Sequence, residues 1–204
     1  MDNKYEEKLG KKTKQENLTR LSKPRITPMK ESEMDDTIRK MLKPSKRLGR
    51  GRYLNIFTTL IKHPKLYEQW NHFGSYILGQ STLSAREREI LILRIGWLCK
   101  SEYEWGQHVA IGKSCGLKEE DFQRIIDGPD SKGLDPFEAT LLRAVDELYD
   151  NAFISDSTWN LLSDRYNDQQ LIDLIFTVGQ YNLVSMVLNT LGIQLDEGYE
   201  GFPK

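Results

Sequence analysis

Ser84-Ala85-Arg86-Glu87-Arg88-Glu89-Ile90-Leu91-Ile92-Leu93-Arg94-Ile95-Gly96-Trp97-Leu98 is the stretch on which the fold turns. Ser84 followed three residues later by Glu87 has the form of a capping box, in which each side chain satisfies a backbone N–H of the first helical turn. The apolar residues after it come too densely for a single amphipathic stripe, so the helix over 84–98 is expected to be buried on most sides. Such a helix needs other helices around it, and the flanking sequence supplies them.

Downstream, 101–114 reads as a helix with Gly116 in the helix-terminating position. Lys118 to Ile126 is a short amphipathic helix closed by Asp127-Gly128-Pro129. Asp135-Pro136-Phe137-Glu138 combines an N-cap, a first-turn proline and an acid, and it opens a helix through Tyr149. Further helices are expected over 156–166 and, capped by Asn167, over 168–191. Phe176, Thr177, Val178, Tyr181 and Val184 favour strands individually, but the length of the segment and its cap favour helix. Upstream, Leu54, Ile56, Phe57, Leu60 and Ile61 recur at helical spacing until His63-Pro64. A new helix starts at that proline, with Leu66, Trp70, Phe73, Ile77 and Leu78 on one side, and ends near Gly79. The fold class is all-α.

The chain has 204 residues, enough for one domain with a sizeable core. Residues 1–52 carry 16 Lys/Arg against 8 Asp/Glu, whereas the remainder carries 13 against 22. Only Tyr5 and Tyr53 bring aromatics to this basic arm, so it reads as a solvated or subunit-wrapping segment and not as a nucleic-acid reader. Residues 1–24 hold too little apolar surface to offset the entropy of ordering and are expected to be disordered. A single helical domain then spans 25–204. Within it, Pro24 to Pro28 is extended, 29–42 forms a short helix ended by Pro44, and 196–204 is a glycine-containing tail packed on the body or a neighbour. No run of about 20 uninterrupted apolar residues marks a membrane span. The acidic, non-apolar start argues against a secretory or transit peptide, and Cys99 and Cys115 alone make no disulfide scaffold. A cytoplasmic setting is expected.

The segment richest in chemistry is Glu89 followed by Ser101, Glu104 and His108. The last three stand at i, i+3 and i+7 on one helical face. Glu104, one turn from His108, can orient the imidazole and raise its basicity, while Glu89 supplies a second acid from the preceding helix. The same residues admit a structural reading: Ser101-x-x-Glu104 is a capping box and Glu104–His108 an ordinary exposed pair. No two histidines have ligand spacing and no C-x-x-C is present, so no metal is expected. Walker, Rossmann and G-x-S-x-G motifs are absent as well.

Leu83 through Leu93 together with Glu102-Tyr103-Glu104-Trp105-Gly106-Gln107-His108 resembles the carboxymuconolactone decarboxylase family of the alkylhydroperoxidase D superfamily. The similarity extends over most of 52–203, including Gly51-Arg52, Asn55-Ile56-Phe57, Phe153-Ile154-Ser155-Asp156 and Phe176-Thr177-Val178-Gly179-Gln180-Tyr181. It implies an alkylhydroperoxidase D-like helical fold assembled into dimers, trimers or hexamers, for which 168–191 is a candidate contact. In the peroxidase branch it implies a glutamate, matched by Glu89, and a histidine, matched by His108. The two cysteines of that branch fall on Ser101 and Glu104, which form neither thiolate nor disulfide. In the decarboxylase branch it implies a lyase or isomerase without cofactor, acting on a small carboxylated lactone or ring acid, with His108 as a near-neutral base and Glu104 and Glu89 in support. Ser101, Trp105 and Arg94 are the candidates for contacting substrate, with Arg94 or Arg86 as the cation for its carboxylate. A thiol peroxidase using Cys99 or Cys115, and a noncatalytic ligand-binding member, are the competing readings.

Overall fold

A computed structural model describes residues 21–42 and 52–203. Most of the expected basic arm, the Pro44 stop and Gly51 lie outside these residues. Among the described residues there is no strand. A 3-10 turn at Glu31–Glu33 is followed by α1 (Asp36–Met41), α2 (Asn55–Leu60), α3 (Pro64–Gly79), α4 (Ala85–Leu98), α5 (Glu102–Ser114), α6 (Glu119–Asp127), α7 (Pro136–Asn151), α8 (Asp156–Ser163) and α9 (Asp168–Leu191).

α4 is the axis of the fold. Every residue from Glu87 to Gly96 is buried, and the helix packs against α5, α7 and α9. One side of it joins Leu91, Ile92 and Ile95 to Leu141, Val145, Leu174 and Val178. The other joins Ile90 and Leu93 to Trp105, Phe122, Ile125 and Leu142. Each such aliphatic side chain contributes roughly 1.5–3 kcal/mol on burial, so helices on two sides are anchored through one. Ser84 caps the helix as its spacing requires: Oγ accepts from the Glu87 N–H and donates to Glu87 Oε2 at 2.7 Å.

Local signals locate the other helices closely, with three departures. The helix expected over 29–42 is divided, because Asp35 turns out of the 3-10 segment and caps α1 by accepting from the Ile38 N–H at 2.8 Å. The helix expected over 156–166 ends at Ser163, where Arg165 and Tyr166 close onto the Leu162 carbonyl. Leu21 to Pro24, expected within the disordered arm, lie against the end of α9: the Leu21 carbonyl accepts from Gln194, and the Arg25 N–H donates to the Leu191 carbonyl.

α9 is long and apolar enough by composition to cross a membrane, yet 56% of its most apolar window is buried within the protein. It also holds the buried Asp173, which accepts from Tyr76 of α3 and from Ser81 and Thr82 just after that helix. It serves here as a core helix whose outer face leaves Ile172, Phe176, Leu183 and Met186 exposed. The chain after α9 packs on the body. Asp196 reaches α5, and Phe202 sits edge-on to Trp97 with a ring separation of 4.9 Å.

Candidate active site

The α4–α5 pair positions the chemistry. Lys100 takes a left-handed conformation (φ 51°), and the Ser101 N–H returns to the Gly96 carbonyl, folding α5 back along α4. Gly96 permits the approach, since a Cβ there would lie 3.3 Å from Glu104 Cγ. Glu89 of α4 and Glu104 of α5 then flank His108: Nδ1 lies 2.7 Å from Glu89 Oε2, and Nε2 lies 3.0 Å from Glu104 Oε1. The ring of Tyr181 from α9 meets the imidazole nearly perpendicularly at 4.9 Å. Glu89, Glu104 and His108 are all buried, which excludes the exposed-pair reading.

Two nitrogen–carboxylate contacts need two protons. Either His108 is an imidazolium donating to both carboxylates, or it is neutral and one glutamate is protonated. Burial alone would lower the His108 pKa; the Glu89 charge, then the Glu104 charge, and the hydrogen bonds to both outweigh it and raise the pKa to about 9. The imidazolium form therefore prevails at neutral pH. This departs from the near-neutral base expected: His108 holds its proton between two carboxylates, one of which, Glu104, shares the cavity wall with it. Behind it, Glu89 Oε1 makes no hydrogen bond and faces the Arg88 Nε at 3.7 Å.

Glu104 and His108 lie on the wall of a cavity of about 360 Å³, while Glu89 sits behind them. Its remaining lining is mostly apolar and aromatic, with Phe57, Trp70, Tyr181 and Val184 among it, interrupted by the polar side chains of Asn71, Ser75, Gln107 and Gln180. Tyr103 and Gln107 are held from behind by Asp196 Oδ2, at 2.5 and 2.9 Å, and Asp196 Oδ1 accepts from the Asn55 N–H. Burial pushes the Asp196 pKa up even against these hydrogen bonds.

Three expected substrate contacts are not at this cavity. Ser101 is the N-cap of α5, but its Oγ makes no capping bond and is buried without a partner, so the second capping box is not formed. Trp105 follows Glu104 by one residue, about 100° around the helix, and packs with Trp97, Phe122 and Phe202 on the opposite side. Arg94 is saturated by both oxygens of Asp146 and by the Ile125 and Ile126 carbonyls. Arg86 is likewise held by Glu138, Asp121 and the Gly116 carbonyl. Cys99 and Cys115 are thiols at opposite ends of α5, about 20 Å of helix apart. The residues missed by sequence reasoning are Gln180, Gln107, Asn71 and the Asp196 anchor; a glutamine inside the apolar run of α9 was the available signal.

These features define an all-α protein whose buried Glu-His-Glu chain opens on an apolar cavity. Residues 64–147 match the carboxymuconolactone decarboxylase family model. No curated protein matches the sequence. Among solved structures, the fold is shared with an uncharacterized peroxidase-related protein from Ralstonia eutropha JMP134 described as an alkylhydroperoxidase AhpD core (TM-score 0.72, 16% identity, covering 84% of this chain and 92% of that one). A peroxidase-related protein from Silicibacter sp. TM1040 (TM-score 0.69, 18% identity, 92% and 97% covered) and the debrominase Bmp8 (TM-score 0.70, 12% identity, 84% and 92% covered) share it too. At these identities the likeness is one of fold.

Proposed function

We propose that this protein is an acid–base enzyme of the lyase or isomerase type, acting through its own side chains on a small lactone-like or ring carbonyl compound. The observation that carries the reading is the Glu89–His108–Glu104 chain ending on the cavity wall. Glu104 takes a proton from a carbon next to the substrate carbonyl, giving an enolate. The imidazolium of His108 stays bonded to Glu104 and balances the charge, with Glu89 holding the ring from behind. Returning the proton to a different carbon completes an isomerisation; in a lyase reaction the enolate forms instead as a C–C bond beside the carbonyl breaks and leaves its electron pair there, and a proton delivered from solvent through Glu104 quenches it. A ring compound suits a cavity of this size, and within this fold a cysteine-to-alanine variant of Bmp8 is known in complex with 2,3,4-tribromopyrrole.

The peroxidase reading follows the names of the structural neighbours, but here the dithiol positions are Ser101 and Glu104, and Cys99 Sγ is engaged with Asn182 Oδ1 at 3.2 Å. The test is solvent deuterium incorporation into a panel of unsaturated lactones, run beside peroxide turnover with a dithiol reductant. Incorporation that disappears in Glu104→Gln supports proton transfer. Thiol-dependent peroxide turnover that disappears when both cysteines are replaced refutes it.

A further inference from the structure

The cavity is built around a charge that is already satisfied. Among the described residues that line it there is no lysine or arginine, and both ring nitrogens of His108 are directed at carboxylates. The two guanidinium groups expected to meet a substrate carboxylate, on Arg94 and Arg86, are bound on other faces. Whichever of the two proton arrangements holds, Glu89, His108 and Glu104 together carry a net charge of −1, and the guanidinium that offsets it, Arg88, faces Glu89 at 3.7 Å from behind and does not line the cavity. A carboxylate entering here would be stripped of water beside Glu104 with no lysine or arginine among the described lining residues to meet it, a heavy cost for an anion.

Gln180 offers something different. It is 6% exposed, its side chain lines the cavity, and among the described residues its amide makes no hydrogen bond. The amide reaches the open space of the cavity, not a sealed interior, and a primary amide matches a carbonyl or lactone oxygen without requiring charge. Its nitrogen lies beside Gly74, where a Cβ would make an ordinary contact at 3.9 Å.

We infer that the substrate is an uncharged carbonyl compound, its oxygen held by the Gln180 amide and its acidic C–H presented to Glu104, and that carboxylated ring acids are not substrates. The inference rests on the acid–base reading of the site and narrows it to isomerisation or uncharged C–C cleavage, because decarboxylation requires a carboxylate. The decisive probe is one unsaturated γ-lactone bearing an acetic acid side chain, used as its methyl ester and as the free carboxylate. Binding is followed by calorimetry near neutral pH. The ester is expected to bind at least about tenfold more tightly than the carboxylate. Gln180→Leu is expected to weaken the ester by about tenfold while the protein keeps its melting temperature within a few degrees. Carboxylate binding as tight as or tighter than the ester's, or binding of neither, overturns the inference. Deuterium incorporation into the bound ester, measured separately, tests the acid–base reading: tight ester binding without exchange removes the catalytic reading and leaves the neutral ligand in place.

Discussion

His108 and Glu89, 19 residues apart in sequence, meet at 2.7 Å in a region where Glu89 is fully buried. Burial works against a charged imidazole, so the neighbouring carboxylates must hold the proton on, and Glu89 is the larger of the two electrostatic contributors. Glu89→Gln keeps the shape and removes the charge. Its His108 midpoint, followed by the imidazole chemical shifts, is expected to fall from about 9 by at least about one pH unit. An unchanged midpoint would show that Glu89 does not supply the charge.

The same pair ties stability to pH. The folded-state pKa of His108 is raised from the ordinary 6.5 to about 9, so the native state binds the proton more tightly than the unfolded chain does. Its contribution is fully present below 6.5 and is lost as pH rises through about 9, on the order of 1–3 kcal/mol. Unfolding free energies of the wild type should decline across that window, whereas those of His108→Gln should lack this component. Parallel curves for the two proteins would exclude the linkage.

Arg94 is a structural residue, and its replacement should affect folding and leave substrate affinity alone. Its fork binds both Asp146 oxygens at 2.7 and 2.8 Å and closes the end of α6 through two carbonyls. Gly128, at φ 92°, passes so close that a Cβ would lie 2.8 Å from Arg94 Nη2. Arg94→Met leaves Asp146 uncompensated and should destabilise the fold by about 2–4 kcal/mol, with Arg94→Lys recovering only part because it lacks the fork. Denaturant titration reads the loss. A large change in ligand affinity at full stability would return Arg94 to the binding site.

What was legible in the sequence follows from the range of each interaction. Caps act within one turn, so Ser84, Asp135-Pro136 and Asn167 place their helices almost to the residue. Glu104 and His108, one turn apart, were legible as a pair for the same reason. The helical face drawn through Ser101 failed because Ser101 stands at the cap, outside the regular helix, with its Oγ unpartnered. Arg94 was misread because Asp146 lies 52 positions away, and nothing local reveals that its charge is spent. Trp105 was misread because adjacent residues on a helix face different neighbours. The proton on His108 was hidden because it depends on joint burial with two carboxylates, a property of the packed α4–α5 pair.

Asp196 shows how much of the cavity wall rests on the chain's last residues. It receives the Tyr103 hydroxyl and the Gln107 amide from α5 and the Asn55 N–H from α2, so one carboxylate joins three segments. Asp196→Ala leaves those buried donors unmet and is expected to cost about 1–3 kcal/mol. It should also release the segment after α9, exposing it to limited proteolysis. Gly106→Ala reaches the same end by another route, because its Cβ would come within 2.6 Å of the Glu200 carbonyl and 2.9 Å of Leu195. Each variant should therefore be cut in the tail at protease concentrations that spare the wild type. If Gly106→Ala is cut and Asp196→Ala is not, close packing against α5 holds the tail and the carboxylate serves only to orient Tyr103 and Gln107.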